Sequence, residues 1–227
     1  MKAPQLQWRF FIAILLQNQI NMRNKMKKKK DILILDAEGI ILNPISGIKK
    51  FLDDKGICTK HLESRETSDP LRIVDLFGSS SLEEALSLYS EYCDSEYIGS
   101  LELHSQGVKR VLIELSYRYD ISLVMSCGRS EHEMQLREKN LEELFGDIFS
   151  GYHFVGRSET KRDVLELLMD IPGNKIAGLI DSNEKYVQEA VDLGIESYLF
   201  SNRKAGAEST YPVIEDWKQI EDIFLLQ

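Results

Sequence analysis

The sequence is poor in the residues that several common chemistries require. It holds only three cysteines, Cys58, Cys93 and Cys127, scattered and odd in number. They form no Cys-x-x-Cys pair and no disulfide framework, a usage that fits a reducing compartment and points to a cytoplasmic location. The four histidines show no metal-ligand spacing. Glu131-His132-Glu133 would need a second His one turn further on to hold zinc, but position 136 is Leu, so the segment reads as the polar face of a helix. No Gly-x-x-x-x-Gly-Lys loop and no Gly-x-Gly-x-x-Gly fingerprint is present, which removes the sequence basis for nucleotide-binding folds of those types. Basic residues are also short. Lys and Arg number 28 against 37 Asp and Glu, for a net charge of −9 and a pI near 5.1. Nonspecific nucleic-acid binding needs a basic face, so nucleic acid is not an expected partner.

The charge is unevenly spread. Residues 1–30 carry eight Lys and Arg and no acid, which leaves 20 basic against 37 acidic residues, a net −17, for residues 31–227. The apolar run in this basic leader, Phe10 to Leu16, is far shorter than the roughly 18 to 20 residues needed to span a bilayer. No small-x-small cleavage site follows it. An interfacial anchor built on Trp8, Phe10 and Phe11 beside the Lys27–Lys30 cluster is one reading. A disordered tail, or an upstream extension of the gene with starts at Met22 or Met26, is the expectation preferred here. Membrane contact through the leader is therefore not expected.

What the chain does have is a core. Apolar residues make up 43% and charged residues 29%, enough to bury one domain of ordinary size with a small insert. From residue 31 short apolar runs recur, as in buried parallel strands: Asp31 to Asp36, Ile121 to Met125, Gly151 to Val155, Ile176 to Ile180 and Tyr198 to Phe200. Helical spacing separates them. Val108, Val111, Leu112 and Leu115 precede the second run, and Leu136, Leu141, Leu144 and Phe145 precede the third. Thr160 to Asp163 reads as a capping pattern for a helix presenting Val164, Leu167 and Leu168. A further helix places Val187, Ala190 and Val191 inward and stops at Gly194. Strands alternating with helices define an α/β fold with a parallel sheet. Residues 43–104 interrupt the alternation, with Leu82, Ala85, Leu86, Tyr89 and Cys93 at helical spacing and no convincing strand, so they read as a helical insert able to close over the sheet edge.

In open α/β sheets ligands collect at the carboxyl ends of the strands. In chain order those ends carry Asp36, in Asp36-Ala37-Glu38-Gly39-Ile40; Ser126, followed by Cys127 and Gly128; Lys161, at the helix after the third strand; and Asp181, in Asp181-Ser182-Asn183. Taken singly, Asp181 could be a helix N-cap, Ser126 an ordinary loop residue and Lys161 a solvated helix start. Taken together, two carboxylates, a hydroxyl and an amine suit a phosphoryl group. A carboxylate can attack phosphorus, and a pair of carboxylates can hold Mg²⁺. Hydroxyl, ammonium and loop amides can bind the nonbridging oxygens.

This ordered set resembles the motifs of the haloacid dehalogenase-like superfamily, over about residues 31–42 and 105–203. The resemblance implies a three-layer, Rossmann-like parallel-sheet core over 31–42 and 105–227, with a small helical cap, 43–104, inserted after the first strand. It implies a Mg²⁺-dependent phosphatase of a small phosphorylated metabolite that works through an aspartyl-phosphate. In that scheme Asp36 is nucleophile and metal ligand, Asp181 a second ligand and the Glu38 carbonyl a third. Ser126, Cys127 and Lys161 bind phosphate, and Lys161 also steadies the intermediate. The sequence departs from the family where Glu38 replaces the acid/base Asp. Ile40 stands for the usual Thr, and Ser182 stands where a second acid is common. The added methylene moves the carboxyl by more than about 1 Å, which can cost roughly a hundredfold in rate. A catalytically weak member, serving as a phosphate-ligand-binding or protein-interaction module, therefore remains open beside the hydrolase. The substrate and the oligomeric state are not legible in the sequence.

Overall fold

The computed structural model describes residues 29–63, 72–128, 130–157, 159–201 and 209–226. The leader readings at residues 1–28 thus lie outside the described residues. Among the described residues no helix is long and apolar enough to cross a membrane.

The main sheet begins with β1, Ile32–Leu35, whose four residues are all buried. Alternation along it explains the layers, because successive side chains point to opposite faces. Leu33 and Leu35 join one apolar cluster, packed by helices α4 (Val108–Arg118), α5 (Glu131–Phe145) and α8 (Trp217–Phe224). Ile32 and Ile34 join another, packed by α6 (Arg162–Asp170) and α7 (Glu184–Asp192). A strand covered on both faces reads as a continuous apolar run, which is why the pattern of residues 31–36 was informative.

The remaining strands of this sheet are β4 (Asp120–Cys127), β5 (Phe149–Gly156), β6 (Ile176–Asp181), β7 (Ser197–Phe200) and β8 (Val213–Ile214). Their order is β5-β4-β1-β6-β7-β8, and every pairing is parallel. The chain builds outward from β1 through β4 to β5, then returns to the other side of β1 and builds outward again. The reversal places a crevice at the carboxyl ends of β1 and β6. The strand at residues 213–214 is too short to leave a period in the sequence.

The insert is helical, as expected, with α1 (Pro44–Asp54), α2 (Ile73–Leu76) and α3 (Leu82–Cys93). It also has a feature the sequence did not reveal, a two-residue antiparallel ladder at its base between β2 (Leu42–Asn43) and β3 (Glu102–Leu103). Ile45, Phe51, Phe77, Tyr92 and Ile98 form its core, and Leu136 of α5 joins them from below. Two helix faces differ from expectation. Val191 is 42% exposed, and the larger Tyr186 takes the buried face of α7. On α6 the buried positions are Leu165 and Leu168 rather than Leu167.

Candidate active site

The register of the sheet assembles the site. Leu35 pairs with Ile180, and the Asp36 amide donates to the Ile180 carbonyl at 3.0 Å, so Asp36 and Asp181 leave adjacent strands side by side. Both are buried, as is Lys161, which is 1% exposed. The Lys161 ammonium lies 2.6 Å from Asp181 Oδ2 and 3.1 Å from Asp36 Oδ1. The sequence-based alternative of a solvated helix start is corrected here: Lys161 is the buried cation of this node. Burial opposes its charge, but Asp181 and Asp36 outweigh that and raise its pKa. Burial pushes the Asp181 carboxyl up, against the pull of Lys161 and with the push of Asp36.

Asp181 is not the helix cap. Asn183 holds that position, its side chain accepting from the Lys185 amide at 3.0 Å, while Asp181 Oδ1 accepts from the Asn183 amide at 2.8 Å. The capping pattern before α6 is displaced in the same way. Lys161 is the N-cap residue, and the Thr160 hydroxyl accepts from the Arg162 amide.

The loop after β1 turns at Gly39, whose φ of +77° only glycine adopts without strain. The turn brings the Glu38 carbonyl within 3.3 Å of the Ser182 hydroxyl, which donates to it, so the first and fourth motifs touch. Ser126, the penultimate residue of β4, is half-buried, and the Tyr186 hydroxyl donates toward its Oγ at 3.3 Å. The Lys161 ammonium sits 4.6 Å over the Tyr186 ring. Cys127 is buried, its thiol directed at the Gly128 carbonyl, and burial pushes that thiol up to about 12. Any part it plays in phosphate binding would fall to its main chain.

Sequence reasoning missed a second layer of charge. Arg137 of α5 forms an ion pair with Glu38, its Nη2 lying 2.7 Å from Oε1. One turn earlier Glu133, read from the sequence as part of a polar face, is buried and paired with Arg157 at the end of β5. Arg157 also reaches Cys93 Sγ in the insert at 3.2 Å and lies 4.8 Å over the Tyr89 ring. Gly128 makes room for this pair, since a Cβ there would meet Glu133 Oε2 at 2.0 Å. Burial raises the Glu38 pKa, with Arg137 opposing and Asp36 adding to it.

These features define a class by fold: an α/β parallel sheet, an insert after the first strand, and strand-end carboxylates around a buried lysine. The chain has the haloacid dehalogenase-like fold. Among solved structures it is similar to a candidate phosphatase from Clostridium difficile, at 22% identity over 88% of this chain and 100% of that one, with a TM-score of 0.62. It is also similar to a haloacid dehalogenase-like family hydrolase from Streptococcus pneumoniae, at 14% identity over 86% and 98% of the two chains, TM-score 0.58. A third is a candidate HAD-hydrolase from Bacillus subtilis, bound to magnesium and described as revealing interdomain movement, at 12% identity over 87% and 99%, TM-score 0.60. No protein-family model matches the sequence, and no curated protein does.

Proposed function

We propose that the protein is a phosphatase-type hydrolase acting on a small phosphorylated metabolite. The observation that supports this best is the node of Asp36, Asp181 and Lys161 at the crevice between β1 and β6. Lys161 engages Oδ1 of Asp36, and among the described residues no hydrogen bond is made to Oδ2, which remains available as a nucleophile. Asp36 attacks the phosphorus, the phosphorus–ester bond breaks, and the leaving oxygen takes a proton from Glu38. Water then attacks the acyl phosphate, Glu38 takes its proton, and free phosphate and Asp36 are regenerated. Lys161 and the Ser126 hydroxyl meet the nonbridging oxygens, together with the main-chain amides after β4.

The donor set suits a hard divalent cation. Asp36 and Asp181 offer carboxylate oxygens and Glu38 a main-chain carbonyl. No group of three or more His, Cys, Asp or Glu side chains gathers among the described residues, so water would complete the shell, as Mg²⁺ prefers. When bound, the ion would neutralise charge on the phosphoryl oxygens. The similarity to a magnesium-bound candidate hydrolase supports the same choice.

The test is a Mg²⁺-dependent screen against phosphorylated metabolites with Asp36→Asn as the blank. Turnover by the parent at least a hundredfold above the variant is expected, with loss of turnover on chelation. Undiminished activity in Asp36→Asn would refute the nucleophile. Binding of phosphate ligands with no turnover by the parent would favour the binding-module reading, which the substitutions at Glu38 and Ser182 keep in view.

A further inference from the structure

The Glu38–Arg137 pair has a geometry that a purely structural ion pair would not need. Glu38 belongs to the loop after β1, and its side chain is one-third exposed at the crevice. Water reaches part of that side chain. Arg137 has no such access, because its side chain is 4% exposed on the face of α5 beneath the insert. A guanidinium has five N–H donors, and one buried for structure alone would be expected to fill them. Here Nη2 is ion-paired with Glu38 Oε1, while among the described residues the buried Nε and Nη1 have no hydrogen-bond partner. Burying that charge is therefore costly, and Glu38 provides its compensation. Glu133, the nearer acid on the same helix, is taken up by Arg157. The second pair leaves Arg137 free to serve Glu38.

The pair also addresses the length of the side chain. A glutamate has one more rotatable bond than an aspartate, and fixing it costs additional rotamer entropy. A planar guanidinium held by its own burial is a preorganised partner for one carboxylate oxygen. The ion pair engages Oε1, and no hydrogen bond to the second oxygen is present among the described residues. That oxygen can face the crevice.

We propose that Arg137 is a positioning residue. It anchors the Glu38 carboxyl at the reach required for proton transfer and so offsets the methylene that separates Glu from Asp. The inference rests on the reading of Glu38 as the acid/base group. Arg137 does not touch the phosphoryl group in this scheme, and its effect passes through Glu38 alone.

The experiment compares the full-length protein with Arg137→Met, Arg137→Lys, Glu38→Gln and the double variant Glu38→Gln/Arg137→Met. The probes are phenyl phosphate, whose leaving oxygen needs a proton, and 4-nitrophenyl phosphate, which needs one far less. Arg137→Met should lower kcat on phenyl phosphate about tenfold or more and on 4-nitrophenyl phosphate less than about threefold, with KM little changed. Arg137→Lys, which keeps the charge but loses the planar fork, should recover part of the loss. It also serves as the informative variant should Arg137→Met fold poorly. In the Glu38→Gln background the Arg137 substitution should add nothing. Equal losses on both probes, or a further loss in the double variant, would overturn the positioning role. A neutral Glu38→Gln would instead remove Glu38 from the chemistry, and the Arg137 role with it.

Discussion

His153 offers a test of the core that is independent of any substrate. It lies buried on β5, with its Nε2 3.0 Å from the Ser122 hydroxyl on the neighbouring strand. Burial lowers its pKa from 6.5 to about 4. The unfolded chain therefore takes up a proton as pH falls through 6.5, while the folded chain resists until near 4. The stabilising contribution is complete above the unfolded pKa and is lost progressively as pH falls toward the folded one. For these two values the loss amounts to about 1.3 kcal/mol between about pH 7.5 and about pH 5.5. The perturbation is His153→Gln, which cannot titrate. Urea unfolding of both proteins across this window gives ΔG at each pH, and the difference between them should shrink by that amount on acidification. Other groups titrate in the same range, but they are common to both proteins and cancel. An NMR titration of the four histidines supplies the direct check. A difference in ΔG that stays flat with pH would refute the claim that His153 is held neutral by burial.

Two further substitutions probe the charged layer around Glu38. Gly128→Ala should unseat Glu133 from Arg157, because the new Cβ would lie 2.0 Å from Glu133 Oε2. A loss of about 2 kcal/mol or more in chemical denaturation is expected, and an unchanged midpoint would contradict the geometry. The Tyr92 hydroxyl is buried in the insert, without a hydrogen-bond partner among the described residues. Tyr92→Phe should accordingly be neutral or stabilising by up to about 1 kcal/mol in thermal unfolding, and a marked destabilisation would mean that the hydroxyl is satisfied after all.

The sequence made the sheet and the strand-end groups legible because both are written locally. A strand buried on two faces leaves a continuous apolar run, and the residue after the run marks its carboxyl end. Asp36, Ser126 and Asp181 each follow such a run. Lys161 was found by its place in the order, although nothing local marked it as buried. Glu133, Arg137 and Arg157 were illegible for a related reason. On a helix as charged as residues 131–145, a buried acid looks like a solvated one until the insert is packed on top. Their partners lie far off in sequence, Glu38 for Arg137 and Cys93 for Arg157. Tyr186 was missed because the apolar spacing on its helix pointed to Val191, whereas the bulk of the aromatic ring and its place under Lys161 decided the burial. Strands of two residues, such as Val213–Ile214, are shorter than any period that could announce them.

The ladder at the base of the insert has a consequence for how such a chain can change. Leu42 and Leu103 are directly paired in antiparallel register, and Asn43 faces Glu102. Partners in such a ladder stand only about 5 Å apart, a gap that a tight turn can close. Everything between them hangs from a single doorway in the sheet domain, through which the chain both leaves and returns. Lengthening, shortening or exchanging that loop of helices leaves the order of the six parallel strands untouched. The doorway separates two tasks: strand register sets Asp36 beside Asp181, with Lys161 at the start of α6 bridging them, while the insert joins that frame through a single antiparallel pair.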